Sequence, residues 1–431
     1  MANNNSSQVL LVKIWFLSPV VLVFFSTLAF LICLPVLPLD VMFPITIEAL
    51  FFWLTCFIGF LVGLFIGAGG RLNMSFCQYR SNPKKVRIFL GALVMLGFIG
   101  TIIMFVDRYF IRGVSLAADA MENREVLLDS KASALSVIAA ATSSFGILSY
   151  VSIWVAELGQ IVVSRWLKLM ALLSVLSAVF FSAQLGSRSL LLVVILVHLL
   201  AWFFVFRVRG GKVRSRHILM VFLTLVGLAS ISAIMMVSRV ELMGRSMFES
   251  VLDSAYAYTL RPSHFVLEVF QNNQNMGEIF AGLFSLVQYV FHGIYEFSLL
   301  YNNFQGDHEM GGRTLWLPLK IVSMLTGGWI PVGSVEHIGE RPGTFTTFVG
   351  PMYIDFGWLS PVALIVYGVL VGLPFRFLRR GQIEWLPAVV LVATCSLLWP
   401  VVNIFTSASG TYLLFGAVAI GLMGKRLRYT R

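Results

Sequence analysis

The sequence predicts an all-α polytopic membrane protein with about ten transmembrane helices. The chain has 431 residues, of which 58% are hydrophobic and only 12% are charged. Its mean hydropathy of +0.88 exceeds what a soluble core requires. Several apolar runs also reach the roughly 17–25 residues that cross a hydrocarbon core of about 30 Å. Lys and Arg concentrate in alternate connections between these runs, as they do in multi-pass proteins.

The apolar runs give the predicted helices in chain order. We place them near 14–36, 47–68, 88–106, 134–155, 167–184, 189–206, 217–237, 358–375, 385–405 and 409–424. The first run is longer than the apolar core of a signal peptide and no small-residue cleavage site follows it, so we expect a retained helix. The predicted regions are an N-terminal bundle of about seven helices, a large loop and a C-terminal group of about three helices, over 1–237, 238–357 and 358–431.

The distribution of basic residues predicts the orientation of the chain. With a cytoplasmic N-terminus, one face carries 20 of the 31 basic residues and two of the 20 acidic residues. Because Lys and Arg are retained on the cytoplasmic side, we predict that both termini are cytoplasmic and that the large loop is extracytoplasmic. The net charge of +11 therefore indicates topology, and we predict no nucleic-acid partner.

The large loop is not a simple soluble insertion. Its segments 276–301 and 313–331 are rich in apolar and aromatic residues but also contain polar ones. The polar residues of the first segment recur at four-residue spacing on one helical face, at Gln288, His292 and Glu296. We expect both segments to be amphipathic helices that lie at the membrane interface or cover a cavity. The alternative is that 280–300 crosses the membrane, which would need a second crossing that the sequence does not supply.

Arginines in connections on the loop side are candidates for binding an anion. Arg188 lies in a short connection between two membrane helices, where a guanidinium costs free energy unless it snorkels or finds a partner. Anchoring to lipid headgroups is its alternative role. Arg261 and Arg341 each precede a proline, which favours an extended loop conformation. A phosphate would attract these groups because each charge-assisted contact contributes about 1.5–3 kcal/mol.

Two further loop residues are candidates for proton transfer. His337 and Glu340 could act as a general base and the group that orients it, and Glu336 or Asp355 could also play the acid role. Solvated loop charges are the alternative for each acid. No motif of a soluble enzyme is recognisable. The contiguous tripeptide Asp307–Glu309 is a weak metal candidate, because adjacent residues rarely direct three side chains at one ion. We therefore predict no metal and no other cofactor.

Three stretches of the chain resemble bacterial oligosaccharide repeat-unit polymerases of the Wzy type, the family of O-antigen and exopolysaccharide polymerases. They are GSRSLLLVVIL at 186–196, YVFHGIYEF at 289–297 and GTFTTFVGPMYIDFGWLSPVALIVYGVLVG at 343–372. The resemblance implies a GT-C-like glycosyltransferase of the bacterial inner membrane with a periplasmic active site. Its donor and acceptor would be glycans on undecaprenyl diphosphate.

The resemblance also implies roles for individual residues. Arg188, Arg261 and Arg341 would bind the diphosphate, and Arg245 and Arg313 are outer candidates for the same site. His337 and Glu340 would deprotonate the acceptor hydroxyl. Members of this family are thought to work without a nucleotide sugar or a metal. Membrane lipid, a chain-length regulator and a flippase are further candidate partners.

The O-antigen ligases share this architecture and are the first alternative. Ligases typically carry a His-Asn pair about ten residues before the glycine that precedes their next helix. Counting back from Gly357 gives Thr346 and Thr347 instead. This departure favours a polymerase over a ligase.

A transporter of polysaccharide or of lipid-linked oligosaccharide is the second alternative. Transporters place charged residues near the bilayer midplane, in broken helices. The predicted spans are nearly free of such residues, apart from Glu48 near one end and His198. A structural subunit of a secretion complex would not require the arginines at all.

Overall fold

The structure of the protein is a computed structural model. It describes residues 17–70, 82–115, 122–123, 126–127, 134–184, 188–212, 214–242, 244–272, 274–329, 341 and 344–425. The helices are α1 Pro19–Cys33, α2 Ile47–Gly67, α3 Pro83–Val106, α4 Ala134–Leu158, α5 Arg165–Gln184, α6 Arg188–Val208, α7 Ser215–Leu242, α8 Met247–Asp253, α9 His264–Asn272, α10 Gln274–Asn303, α11 Trp316–Leu325, α12 Val349–Phe356, α13 Ser360–Arg379, α14 Leu386–Leu397 and α15 Ala408–Lys425. A short antiparallel ribbon pairs β1 Leu39–Val41 with β2 Leu260–Pro262.

The predicted all-α polytopic class is confirmed. Ten helical segments within the described residues are long and apolar enough to cross a membrane. Their number agrees with the prediction, but one member differs, because Gly277–Asn303 qualifies and the apolar helix at Ile383–Leu397 is too short. The predicted region boundary at 237 also falls inside α7, which continues to Leu242.

Helices α2 and α13 pack side by side in the same direction, and glycines permit their close approach. A Cβ at Gly59 would lie 2.7 Å from the carbonyl oxygen of Pro361. One helical turn further along, a Cβ at Gly63 would collide with the carbonyl of Ile365. We call the end of the bundle where both helices begin the loop face, and the end where both finish the basic face.

Helix α10 lies across the loop face. It contains 30 residues and is therefore roughly 45 Å long. Near its start, Gly282 packs against Ala233 in the last third of α7. Near its end, the Ser298 hydroxyl accepts a hydrogen bond from the backbone N–H of Thr46, 3.1 Å away, at the start of α2. Both contacts lie towards the loop-face ends of their partner helices, and the interfacial position of α10 stays a prediction.

The prediction of one continuous helix over 385–405 is wrong. Helix α14 ends at Leu397, and the chain then unwinds until α15 begins at Ala408. Pro400 explains the break, since it has no backbone N–H and disfavours a helical conformation at Trp399. Helix α14 is nevertheless central to the bundle, with Leu386 through Ser396 fully buried. We call 398–407 the broken segment.

The chain before α13 also enters the bundle and returns. Phe348 contacts the ring of Phe60, at a centroid distance of 5.1 Å, about 20 Å along α2 from its first residue. Helix α12 then runs back towards the loop face, where Tyr353 meets Phe52, two turns nearer to the start of α2. We call 344–357 the re-entrant segment, and its tip lies beside the broken segment.

Candidate functional site

A cavity of about 440 Å³ lies at the loop face, between the broken segment and the re-entrant segment. We call it the polar cavity. Its walls combine the starts of α6 and α15 with parts of the loops, and include Ser189, Arg313, Thr344, Asn403 and Ser407. Backbone that has left a helix exposes N–H and C=O groups that a ligand can use. The cavity is therefore suited to a polar ligand.

The broken segment is ordered by its own polar side chains. The Oδ1 atom of Asn403 accepts a hydrogen bond from Phe405 N at 3.1 Å, and the Ser407 hydroxyl accepts one from Gly410 N at 3.1 Å. Asn403 is almost fully buried, and its Nδ2 has no hydrogen-bond partner among the described residues. An unpaired buried amide is costly. It is an unsatisfied donor within the segment that lines the cavity.

The polar cavity also receives positive potential from its helices. The first residues of α15, Ser409 and Gly410, line it, as do Ser189 and Leu190 from the first turn of α6. The N-terminal end of a helix carries a partial positive charge and unpaired N–H groups, which together favour anions. With the Arg313 side chain in the same wall, the cavity is suited to an anionic group.

Asp355 positions the turn that carries Arg313. Its carboxylate is fully buried near the end of α12. Oδ1 accepts a hydrogen bond from Arg313 N and Oδ2 accepts one from Thr314 N, each at 2.7 Å. The turn is also bonded through Met310 N to the carbonyl of Asp355, 3.0 Å away. Both carboxylate oxygens of Asp355 therefore accept hydrogen bonds from the backbone of this turn and fix its position.

The polar stripe of α10 fixes loops around the cavity. Gln288, His292 and Glu296 face inwards, as the four-residue spacing predicts, and all three are buried. Gln288 Nε2 donates to the carbonyl of Leu260 in β2 at 2.8 Å. His292 Nδ1 contacts the carbonyl of Gln288 at 3.0 Å, and its Nε2 accepts from Phe345 N at 3.1 Å. Since Phe345 lines the polar cavity, the histidine shapes its wall.

Arg341 is paired rather than free. Its Nη2 lies 2.5 Å from Glu296 Oε1, and its Nε donates to Oε2 at 3.0 Å, so the two groups form a bidentate pair. Nη2 also donates to the Ala255 carbonyl at 2.8 Å, and the guanidinium lies 4.0 Å from the ring centroid of Tyr258. The predicted diphosphate role of Arg341 would therefore have to use donors that Glu296 leaves available.

The structure brings only some of the predicted arginines to the cavity. Arg313 lines it, and Arg188 is the first residue of α6, directly before the lining residue Ser189. Arg261 is exposed in β2, opposite Asp40, and Arg245 is an exposed residue between α7 and α8. Neither belongs to the walls of the polar cavity. The roles of all five arginines stay predictions.

The predicted proton-transfer residues His337 and Glu340 lie outside the described residues. Within the described part, Glu309 is a further carboxylate in the Arg313 turn. Partial desolvation, together with the nearby Asp355 carboxylate, raises the pKa of Glu309 above its usual range, while Arg313 opposes the shift. A raised pKa makes a carboxylate a stronger base, which suits a role in proton transfer.

The tripeptide Asp307–Glu309 does not form a metal centre with other groups. Among the described residues, no three His, Cys, Asp or Glu side chains come together in a way that could ligate an ion. His308 instead contacts the carbonyl of Ile354 through Nδ1 at 3.1 Å and stacks on Phe304. Both contacts attach this loop to α12 and the end of α10.

An apolar cavity of about 250 Å³ adjoins the polar one. The two share Ser189, Val402 and Ile404 in their walls. The apolar cavity is otherwise lined mainly by aliphatic side chains of α6, α7, α10 and the broken segment. A ligand with an anionic head and a hydrocarbon tail could occupy both spaces at once.

Sequence reasoning missed several of these residues. Asn403 and Ser407 fall inside or beside a run that was predicted to be a membrane helix, where their polarity was the available signal. Thr344 was grouped with the lead-in to α13, without a role.

Comparison of the chain with family models, with curated proteins and with solved structures finds no match.

Proposed function

We propose that this protein polymerises oligosaccharide repeat units that are linked to undecaprenyl diphosphate. The proposal rests mainly on one observation: the polar cavity, which suits an anion, adjoins an apolar cavity, and the two share lining residues. A polyprenyl diphosphate has this division, with a charged head and a long hydrocarbon tail. A soluble nucleotide sugar would have no use for the apolar part.

The reaction is a single displacement at the donor anomeric carbon. A hydroxyl at the nonreducing end of the acceptor unit attacks this carbon, and the bond to the diphosphate oxygen breaks. The hydroxyl proton passes to a carboxylate or histidine base, and undecaprenyl diphosphate leaves with the electron pair. The candidate bases are His337 and Glu340, as the resemblance implies, together with Glu309 in the Arg313 turn.

The polar cavity supplies the electrostatic part of catalysis in this proposal. The Arg313 guanidinium, the Asn403 amide and the N-terminal ends of α6 and α15 neutralise charge that builds up on the leaving diphosphate. Each charge-assisted hydrogen bond contributes about 1.5–3 kcal/mol, and this contribution counts towards rate where it strengthens in the transition state. Asp355 acts indirectly, as a positioning residue for Arg313.

The proposed orientation and cellular location follow from the distribution of basic residues. The loop face would be periplasmic and both termini cytoplasmic, in the inner membrane of a bacterium. The architecture would then be GT-C-like, with the polar cavity at the membrane surface. A flippase that supplies the lipid-linked units and a chain-length regulator are the expected partners.

A transporter of lipid-linked oligosaccharide is the second candidate. The broken segment at 398–407 and the re-entrant segment at 344–357 favour it, because interrupted helices with exposed backbone are typical of transport sites. The buried carboxylates of Glu296 and Asp355 lie in the predicted loop region 238–357 and not in a predicted span, so the prediction of spans nearly free of charge is unaffected.

One reconstitution separates the candidates. The purified full chain is incubated in lipid nanodiscs with a single lipid-linked repeat unit. A ladder of longer glycans with released undecaprenyl diphosphate supports the polymerase. Transfer only to a lipid A core indicates a ligase. Movement of intact units between leaflets of proteoliposomes, with no ladder, would replace the proposal with a transporter.

The variant that tests the site is Arg313→Gln. We expect the rate of ladder formation to fall about 10- to 100-fold, which corresponds to one charge-assisted contact. Lys85→Gln is the matched control, since it removes an exposed positive charge from the start of α3, which does not line the cavity. Equal rates for both variants would remove Arg313 from the proposed site.

A further inference from the structure

A third cavity, of about 140 Å³, lies beside the polar cavity, among α3, α4, α5 and the start of α15. It shares Leu190, Ser409 and Leu413 with the polar cavity, so the two spaces lie on opposite sides of one wall. Its volume is well above the roughly 10–15 Å³ that a single water needs. We call it the Arg108 cavity.

The basic group of this cavity is unusual in its surroundings. Arg108 belongs to a π-helical turn over Asp107–Ile111, a distortion that often occurs at functional sites. Its guanidinium lies 4.7 Å from the ring centroid of Phe181. Its Nη1 is buried and has no hydrogen-bond partner among the described residues. Nearby, Asp107 Oδ2 accepts a hydrogen bond from Ser136 at 2.6 Å.

The remaining walls are rich in hydroxyl groups. Ser143 and Ser144 of α4 donate to the carbonyls of Ala140 and Ala141, at 3.3 and 2.6 Å. Ser174 of α5 likewise donates to a carbonyl of its own helix, 3.0 Å away. Because the protons of these hydroxyls are engaged, their oxygens have lone pairs left to accept hydrogen bonds. The cavity thus offers donors from Arg108 and acceptors from serines.

A glycosyl phosphate matches the donors and acceptors of this cavity. Phosphate oxygens accept hydrogen bonds from a guanidinium, and sugar hydroxyls donate hydrogen bonds to serine oxygens. A glycosyl phosphate contains both kinds of group in adjacent positions. An isolated hydrocarbon chain would satisfy neither set, and an unpaired buried guanidinium N–H is costly.

We propose that the Arg108 cavity binds the phosphate-bearing headgroup of a second glycosyl lipid, across the shared wall from the first. This inference rests on the proposed function, because a polymerase must bind two lipid-linked glycans together. In it, Arg313 and Arg108 each bind one diphosphate. The wall at Leu190 and Ser409 separates the two headgroups, and the glycans extend from both cavities at the loop face.

The test is the stoichiometry of diphosphate binding to the purified full chain in detergent, measured by calorimetry with inorganic diphosphate. We expect two sites in the unmodified protein and one site in either Arg108→Gln or Arg313→Gln, with at least tenfold weaker binding at the altered site. The double variant should show no site. Each single variant keeps the other site, which reports that the protein is folded.

Two further arms keep the test decisive. Ser177→Leu fills the Arg108 cavity without removing the arginine, so it should also leave one site even if Arg108→Gln does not fold. Farnesyl diphosphate should displace inorganic diphosphate from both sites. If it leaves one equivalent bound, the Arg108 cavity takes a free phosphate and not a lipid headgroup, which overturns the proposal.

The outcomes also separate this inference from the proposed function. Two sites that persist in both Arg108→Gln and Ser177→Leu would overturn the inference. So would a single site that is lost only in Arg313→Gln, although the polymerase proposal would survive. No diphosphate binding at all, together with no glycan ladder, would remove both.

Discussion

The pair between Glu296 and Arg341 is the contact for which the structure predicts the clearest stability effect. The Glu296 side chain is 2% exposed and that of Arg341 is 35% exposed. Loss of the arginine would leave a buried carboxylate without its partner, which typically costs about 3–5 kcal/mol. Loss of the carboxylate is less severe, since water, the Ala255 carbonyl and the Tyr258 ring still contact the guanidinium.

We therefore expect Arg341→Gln to lower the free energy of unfolding by about 3–5 kcal/mol and Glu296→Gln by about 1–3 kcal/mol. The double variant should be more stable than the sum of the two losses implies, by roughly 1.5–3 kcal/mol, because the pair is removed only once. The assay is denaturant unfolding in mixed micelles, followed by tryptophan fluorescence.

An additive result, with coupling below about 0.5 kcal/mol, would refute the reasoning that the two groups are paired in the folded protein. Binding of inorganic diphosphate to Glu296→Gln gives a second readout. If Arg341 binds diphosphate as predicted, release from Glu296 should tighten binding. If its only role is to fix the loop to α10, binding should stay the same or weaken.

The remaining predictions concern packing, position and pH. Gly63→Ala should destabilise the protein by about 1–3 kcal/mol through overpacking. The helical control Gly91→Ala should not, because a Cβ at Gly91 has nothing within 4 Å. Equal melting temperatures for the two variants would contradict this. Asp355→Asn should lower glycan formation by misplacing Arg313, and unchanged activity would refute its positioning role. If Glu309 is the base, the rate should fall as the pH drops through its raised pKa, and Glu309→Gln should abolish that acid limb and lower the rate about 10²–10⁴-fold. A limb that persists in the variant would exclude Glu309.

Much of the transmembrane architecture follows from local sequence. An apolar run of sufficient length must form a helix in lipid, because no water is present to satisfy its backbone. This is why α2 and α13 were predicted to within a few residues. The same rule failed at 385–405, because the run is apolar enough to span yet contains Pro400. Burial inside the bundle allows the broken segment to leave the helical conformation without facing lipid.

The candidate site was predictable only in its residue types. Their positions in loop-side connections made Arg188, Arg261 and Arg341 candidates, but β2 presents Arg261 to solvent and Glu296 neutralises much of the charge of Arg341. Arg313 lines the polar cavity, and the Asp355 carboxylate accepts a hydrogen bond from its backbone N–H, although the two residues are 42 positions apart in the sequence. No periodic pattern connects them. Their pairing depends on the turn after α10 meeting the end of α12.

The sequence by itself determined that this is a multi-pass helical protein, and it located the polar stripe on α10, because hydropathy and helical periodicity are local properties. The tertiary structure alone decided which polar residues meet. The broken and re-entrant segments, the shared wall between the polar and apolar cavities, and the position of Arg108 beside a serine-rich space all arise from contacts between distant helices. Such contacts depend on how the helices pack and where the backbone breaks, and local sequence patterns do not predict either.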